Sequence, residues 1–190
     1  MPLDASQIVR TLFAYMTQHP EESPVLAPLH RALGDPVRDG YCGHDDLCPQ
    51  AAAGALVLDE RESMLGLWEA SYPRWCPPRL LPHAADTSLY DTAERATISA
   101  TGITELWRTD CIADTVDIHF KRQRIGNDVR LSYEFRYVFR SYSYALPLST
   151  PRHIQWHQIS EVVQQQRLQR RLVDEYLAEG LWCRISGLAV

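Results

Sequence analysis

No window of this sequence holds the roughly 18 to 20 consecutive apolar residues of a membrane-spanning helix, so no membrane partner is expected. A basic stripe is missing too. The 24 Asp and Glu outweigh the 19 Lys and Arg, for a net charge of −5. That balance argues against a general nucleic-acid binder, which draws its affinity from neutralising phosphates. The one basic run, Lys121-Arg122-Gln123-Arg124, reads as a solvated loop. Cysteine is sparse and scattered: Cys42, Cys48, Cys76, Cys111 and Cys183 are five, an odd number. This fits reduced thiols in a cytoplasm better than a disulfide framework. The opening stretch MPLDASQIVRTLF meets Asp4 early and has no apolar run, so it reads as neither signal nor transit peptide. Internal repeats and low-complexity linkers are likewise missing.

What is present suits one domain with a terminal extension: 190 residues, 45% hydrophobic and 23% charged, enough to bury a core without staples. Asp4 or Ser6 can cap a first helix carrying Ile8, Val9, Leu12, Phe13 and Met16, which Pro20 ends. A second helix, with Leu26, Leu29 and Leu33 on one face, is expected from Pro24 to Leu33. The Gly-, Pro-, Asp- and Cys-containing stretch from Asp35 to Gln50 reads as a loop. Ala51 to Leu58 and Met64 to Trp68 read as a hairpin about Asp59-Glu60-Arg61-Glu62. Prolines 73, 77, 78 and 82 predict an irregular segment from Tyr72 to Ala85. Ser88 and Asp91 make a capping-box-like start to a helix with Leu89, Ala93, Ala96 and Ala100 on one face, and Gly102 sits where a C-terminal cap belongs. Strands are expected at Ile103–Trp107, Thr115–Phe120, Leu131–Phe139 and His153–Ile159, then a long helix from Ser160 to Gly180. This order predicts an α/β fold, an α+β sandwich.

The order of these elements, together with several local motifs, resembles the Nudix superfamily. Thr101-Gly102-Ile103 matches the end of the box G-x5-E-x7-R-E-U-x-E-E-x-G-U, which sets Arg95 on the box arginine. A bacterial subgroup shows similar signposts. Here they are Gly43-His44, Trp75-Cys76-Pro77-Pro78, Asp86-Thr87-Ser88-Leu89, Asp117-Ile118-His119 and Glu134 within Tyr133-Glu134-Phe135-Arg136. The resemblance covers about residues 40 to 178. It implies a Nudix-like mixed sheet flanked by helices, with an N-terminal helical extension over residues 1–40, a domain over 41–180 and a tail over 181–190.

The departures matter most. In that register the box glutamates become Ala96, Ser99 and Ala100, and two glycines after Pro78 become Arg79 and Leu80. In the family those glutamates hold Mg²⁺ against a diphosphate. A hard cation needs oxygen ligands that alanine lacks, so no metal or other cofactor is expected.

Proton-transfer chemistry is then sought elsewhere. His83 is a candidate acid or base near the old metal site. Asp117 and His119 share a strand face, as do Glu134 and Arg136, and the two faces can meet across the sheet. The alternative is a solvated face of salt bridges. Arg95 is a candidate anion ligand or a surface partner of Asp91 four residues earlier. Trp75 and Tyr133 are candidate walls for a flat ligand, or core packing. Cys42, His44 and Cys48 do not complete a zinc set, and Cys76 would need a partner such as His83 to be a nucleophile.

The leading expectation is a metal-independent isomerase, cyclase or lyase acting on a small molecule in bacterial metabolism or biosynthesis. The rivals are a non-catalytic module binding a nucleotide-like or phosphorylated ligand, and a hydrolase whose metal ligands have moved to Asp86, Asp91 and Glu94. A homodimer is left open.

Overall fold

The computed structural model describes residues 3–34, 50–61, 63–70, 74–107, 115–125, 128–142, 145–147, 150–151 and 153–158. Of the expected loop at 35–50, residues 35–49 with the Cys42/His44/Cys48 trio lie outside the described residues, as does the expected helix at 160–180, while Gln50 already opens a strand.

Helix α1 (Ala5–Gln18) starts at a full capping box. The Asp4 carboxylate accepts from Gln7 N at 2.9 Å, and the Gln7 side chain accepts from Asp4 N at 2.9 Å, which satisfies two otherwise orphaned donors. After a single 3₁₀ turn, α2 (Ser23–Gly34) follows. Both helices sink one face into the same hydrophobic core as the sheet: Ile8, Leu12 and Tyr15 from α1, Leu26 and Leu29 from α2. The segment expected as an extension is thus packed on the sheet, and Leu3 N donates to the Asp86 carbonyl at 2.8 Å. No helix among the described residues is long and apolar enough to cross a membrane.

The sheet is mixed. Strands β1 (Gln50–Leu58) and β2 (Ser63–Glu69) form the expected hairpin. Its turn is fixed by buried Asp59, whose carboxylate accepts from Arg61 N at 2.8 Å and Ser63 N at 2.7 Å. The segment expected to be irregular holds two short strands, β3 (Arg74–Cys76) on β2 and β4 (Arg79–Leu80) on β1. Pro77 and Pro78, which lack an N–H, separate them, and the Pro78 carbonyl still accepts from Ala55 N at 2.9 Å.

Helix α3 (Leu89–Thr101) is capped by Ser88 and stops at Gly102, whose φ of 76° is left-handed and suits glycine. Strand β5 (Leu106–Trp107) is shorter than expected. The Thr101 hydroxyl takes the Ile103 N–H at 3.0 Å, which holds that residue to the helix cap instead of the sheet. Strands β6 (Asp117–Ile125) and β7 (Asp128–Ser141) form a long antiparallel pair, and β8 (Ile154–Gln158) lies on β2. The basic run at Lys121–Arg124, expected as a loop, is therefore strand. Pairing with β7 supplies its backbone hydrogen bonds whatever its charge.

Strand β7 runs parallel to β1 over nine residues. One face of this central pair carries Ala51, Ala53, Ala55 and Val57 with Tyr133, Phe135, Tyr137 and Phe139. Helix α3 covers it through Tyr90, which packs on Tyr137 and Phe139. The opposite face carries Gly54, Glu134 and Arg136. The β1–β2 pairing is recorded at Leu58 and Met64, and farther along β1 takes β4 as partner. This geometry brings β2, β3 and β4 side chains toward that second face.

Candidate functional site

Alternation along β7 puts Glu134 and Arg136 on one face. The antiparallel register sets His119 opposite Glu134 and Asp117 opposite Arg136. The two expected faces do meet. Arg136 Nε donates to Glu134 Oε1 at 2.7 Å, and its Nη1 donates to Asp117 Oδ2 at 3.2 Å. Glu134 is 5% exposed and Arg136 2% exposed, so this is a buried ion pair, which must be well paired to persist. Gly54 makes room for it. A Cβ at Gly54 would sit 2.8 Å from Glu134 Oε1.

The network extends to residues that sequence reasoning did not select. Arg79 on β4 places Nη1 3.8 Å from Glu134 Oε2, and its Nη2 donates to Glu69 Oε2 on β2 at 3.0 Å. Lys121 Nζ lies 3.9 Å from Glu69 Oε1. The Cys76 thiol donates to Glu69 Oε2 at 3.4 Å. The one signal in the sequence was the replacement of a family glycine by Arg79, which adds a guanidinium to this face.

The electrostatics follow from this geometry. Burial works against ionised Glu134, but the charges of Arg136 and Arg79 prevail and hold its carboxyl below the usual range. Glu69 is lowered in the same way: burial opposes, and Arg79 outweighs it. Burial, joined by the bond to Glu69, pushes the Cys76 thiol up. That disfavours the thiolate which a nucleophilic Cys76 would need. Burial and then the Arg136 charge bring His119 down to about 4, against the opposing pull of Glu134. His119 is therefore a neutral imidazole at neutral pH.

A second cluster lies at the start of α3. Buried Asp86 accepts from Arg95 Nε at 2.9 Å and Nη2 at 2.7 Å, from Thr92 Oγ1 at 2.8 Å and from His83 N at 2.8 Å. Burial opposes its ionisation, but the Arg95 bonds lead those that bring it down to about 2. Arg95 thus pairs with Asp86 instead of Asp91, because Asp86 offers both oxygens to the guanidinium fork, while Asp91 accepts from the Thr87 N–H and hydroxyl.

The expected site residues therefore divide. Asp117, His119, Glu134 and Arg136 converge. Arg95 and His83 belong to the Asp86 turn, where exposed His83 accepts from Ala85 N at 3.2 Å through Nδ1. Trp75 packs tilted against His157 and Trp68, with ring centroids 4.0 Å and 5.3 Å away, on the face of β3 away from Arg74 and Cys76. Tyr133 is fully buried against Phe120 and donates to the Val25 carbonyl at 3.3 Å, which tethers α2 to the sheet.

The donor set does not fit the divalent cation of the Nudix pattern. Ala96 is buried and Ser99 and Ala100 offer one hydroxyl between them, whereas such cations need several oxygen ligands. Asp86 is taken by Arg95 and Asp91 by Thr87. Among the described residues, no group of three His, Cys, Asp or Glu is placed to hold a metal.

No family model and no curated protein matches the sequence. Solved structures do. The dihydroneopterin triphosphate pyrophosphohydrolase of E. coli matches at a TM-score of 0.50 and 9% identity, over 68% of this chain and 96% of that one. The Ap4A hydrolase of C. elegans matches at 0.44 and 15%, over 74% and 98%. The NUDIX domain of Shewanella oneidensis NrtR, solved with ADP ribose, matches at 0.43 and 13%, over 62% and 77%. At these identities the likeness is one of fold: a mixed sheet flanked by helices, as in the Nudix α/β sandwich.

Proposed function

We propose that this Nudix-like scaffold belongs to the Nudix superfamily and binds a phosphorylated, nucleotide-like small molecule without hydrolysing its diphosphate. The observation that carries this reading is a contrast. The α3 positions that hold metal in the family are Ala96, Ser99 and Ala100, while the sheet face keeps a network of fixed charges around Glu134 and Arg136. Cations anchored by carboxylates are pre-organised to receive an anion.

This reading is favoured over proton-transfer catalysis by the state of the strand residues. His119 titrates near 4, far from the neutral range where an acid–base catalyst works best. Glu134 is held ionised between two arginines, which weakens it as a base. Relocated-metal hydrolysis is disfavoured because Asp86 and Asp91 are already engaged.

The test is calorimetric titration of the full chain with a panel of nucleoside diphosphate derivatives, followed by product analysis with Mg²⁺ or Mn²⁺ added. Binding without turnover is expected. Strong metal-dependent turnover would sink the proposal.

A further inference from the structure

We infer that Arg74, together with Arg79 and Lys121, forms an anion seat for the phosphoryl group of a small-molecule ligand. The inference rests on the binding role proposed above and names the group that the site grips.

Arg74 stands on β3 directly opposite Glu69 on β2, its natural cross-strand partner. That partner is taken. The Glu69 carboxylate is shared by Arg79, Lys121 and the Cys76 thiol. Arg74 makes no ion pair among the described residues, and its Nε is buried with no hydrogen-bond partner. Buried polar atoms are nearly always satisfied, and an orphan donor needs an explanation.

Its charge is nonetheless part of the cluster, since it acts on both Cys76 and His119. Among the described residues, Arg74, Arg79, Lys121 and Arg136 face the carboxylates Glu69, Asp117 and Glu134, with His119 neutral. Among these named groups the four cations outnumber the three carboxylates by one.

The shape of the seat favours phosphate over carboxylate. Its three cations stand on three strands, β3, β4 and β6, that pair with three different neighbours, β2, β1 and β7. A phosphoryl group offers three oxygens around a tetrahedron, whereas a carboxylate offers two in a plane. Arginine adds a fork of N–H donors suited to phosphate. The two arginines keep N–H donors beyond those spent on Glu69 and Glu134.

Calorimetry of the full chain, without metal, tests the seat using pyrophosphate, ADP and citrate as probes. Pyrophosphate and ADP should bind and citrate should bind more weakly. Arg74→Gln should weaken pyrophosphate by about tenfold or more, Arg74→Lys should fall between, and Arg10→Gln on α1 should match the unmodified protein. A second readout needs no variant: pyrophosphate should slow phenylglyoxal labelling of Arg74, mapped by mass spectrometry.

Undiminished pyrophosphate binding by a folded Arg74→Gln protein, or labelling that pyrophosphate leaves unchanged, overturns the seat and leaves the binding role standing. Tighter binding of citrate than of pyrophosphate overturns the phosphoryl assignment. A protein that binds neither pyrophosphate, ADP nor any of the nucleoside diphosphates overturns both.

Discussion

Asp86 and Glu134 are both buried carboxylates held by arginine, yet their surroundings differ in a way that separates scaffold from site. The Asp86 cluster is local. Its partners His83, Thr92 and Arg95 all lie within nine residues, and both carboxylate oxygens are filled. It closes the loop before α3 and leaves no described charge over. The Glu134 cluster is assembled from β2, β3, β4, β6 and β7. It ends in a cation excess and an orphaned Arg74 Nε. A closed network explains itself as structure, whereas the open one leaves a buried donor for the proposed ligand to meet.

The largest expected effect tests the open cluster. Glu134→Ala leaves Arg136 buried without its short partner and should lower stability by about 3–5 kcal/mol. Chemical denaturation measures this, and a cost near zero would turn the face back into a solvated surface of salt bridges. Next is Gly54→Ala, whose Cβ would intrude to 2.8 Å from the Glu134 carboxylate. Overpacking of this kind should cost about 1–3 kcal/mol. Combined with Glu134→Ala the two costs should be less than additive, because they act on one contact.

The closed cluster should respond to acid instead. Asp86 titrates near 2, below the usual 3.8. Its contribution is therefore complete above 3.8 and is lost as pH falls toward about 2. Asp86→Asn should remove about 2 kcal/mol at neutral pH and flatten that acid limb, while pyrophosphate affinity stays unchanged. A loss of affinity would erase the distinction between the clusters.

The smallest effect at neutral pH belongs to His119. Its value drops from 6.5 to about 4 in the fold, so the unfolded chain binds the extra proton in between and stability falls as pH drops from 6.5 toward 4. His119→Gln should remove that slope from a series of denaturation curves, and an unchanged slope would place the histidine in water.

Much of this architecture could be read in advance because it is written in local chemistry. The Asp4 and Ser88 caps, Gly102 as a stop and the apolar alternation of β1 and β7 all depend on near neighbours. The pairing of Asp117 and His119 with Glu134 and Arg136 was legible too, since a period of two fixes the face once strands are assigned. Where local pattern misled, a distant partner had intervened. Arg95 chose Asp86 over the i−4 aspartate. Strands β3 and β4 formed on either side of two prolines because β2 and β1 offered them edges. Arg74, Arg79 and Glu69 gave no hint of convergence, because nothing along the chain says that β2, β3, β4 and β6 bring charges to one place.

The sequence alone therefore determined the element order, the caps, the core alternation and the absence of carboxylates at Ala96, Ser99 and Ala100 of α3. Each is a property of residue type and short-range geometry. Only the tertiary structure decided which charges share a site, that Glu134 and Arg136 are buried, that His119 is neutral and that the Arg74 Nε has no hydrogen-bond partner among the described residues. Those are outcomes of strand register and of competition for one carboxylate, Glu69, among groups that only the folded sheet brings within reach.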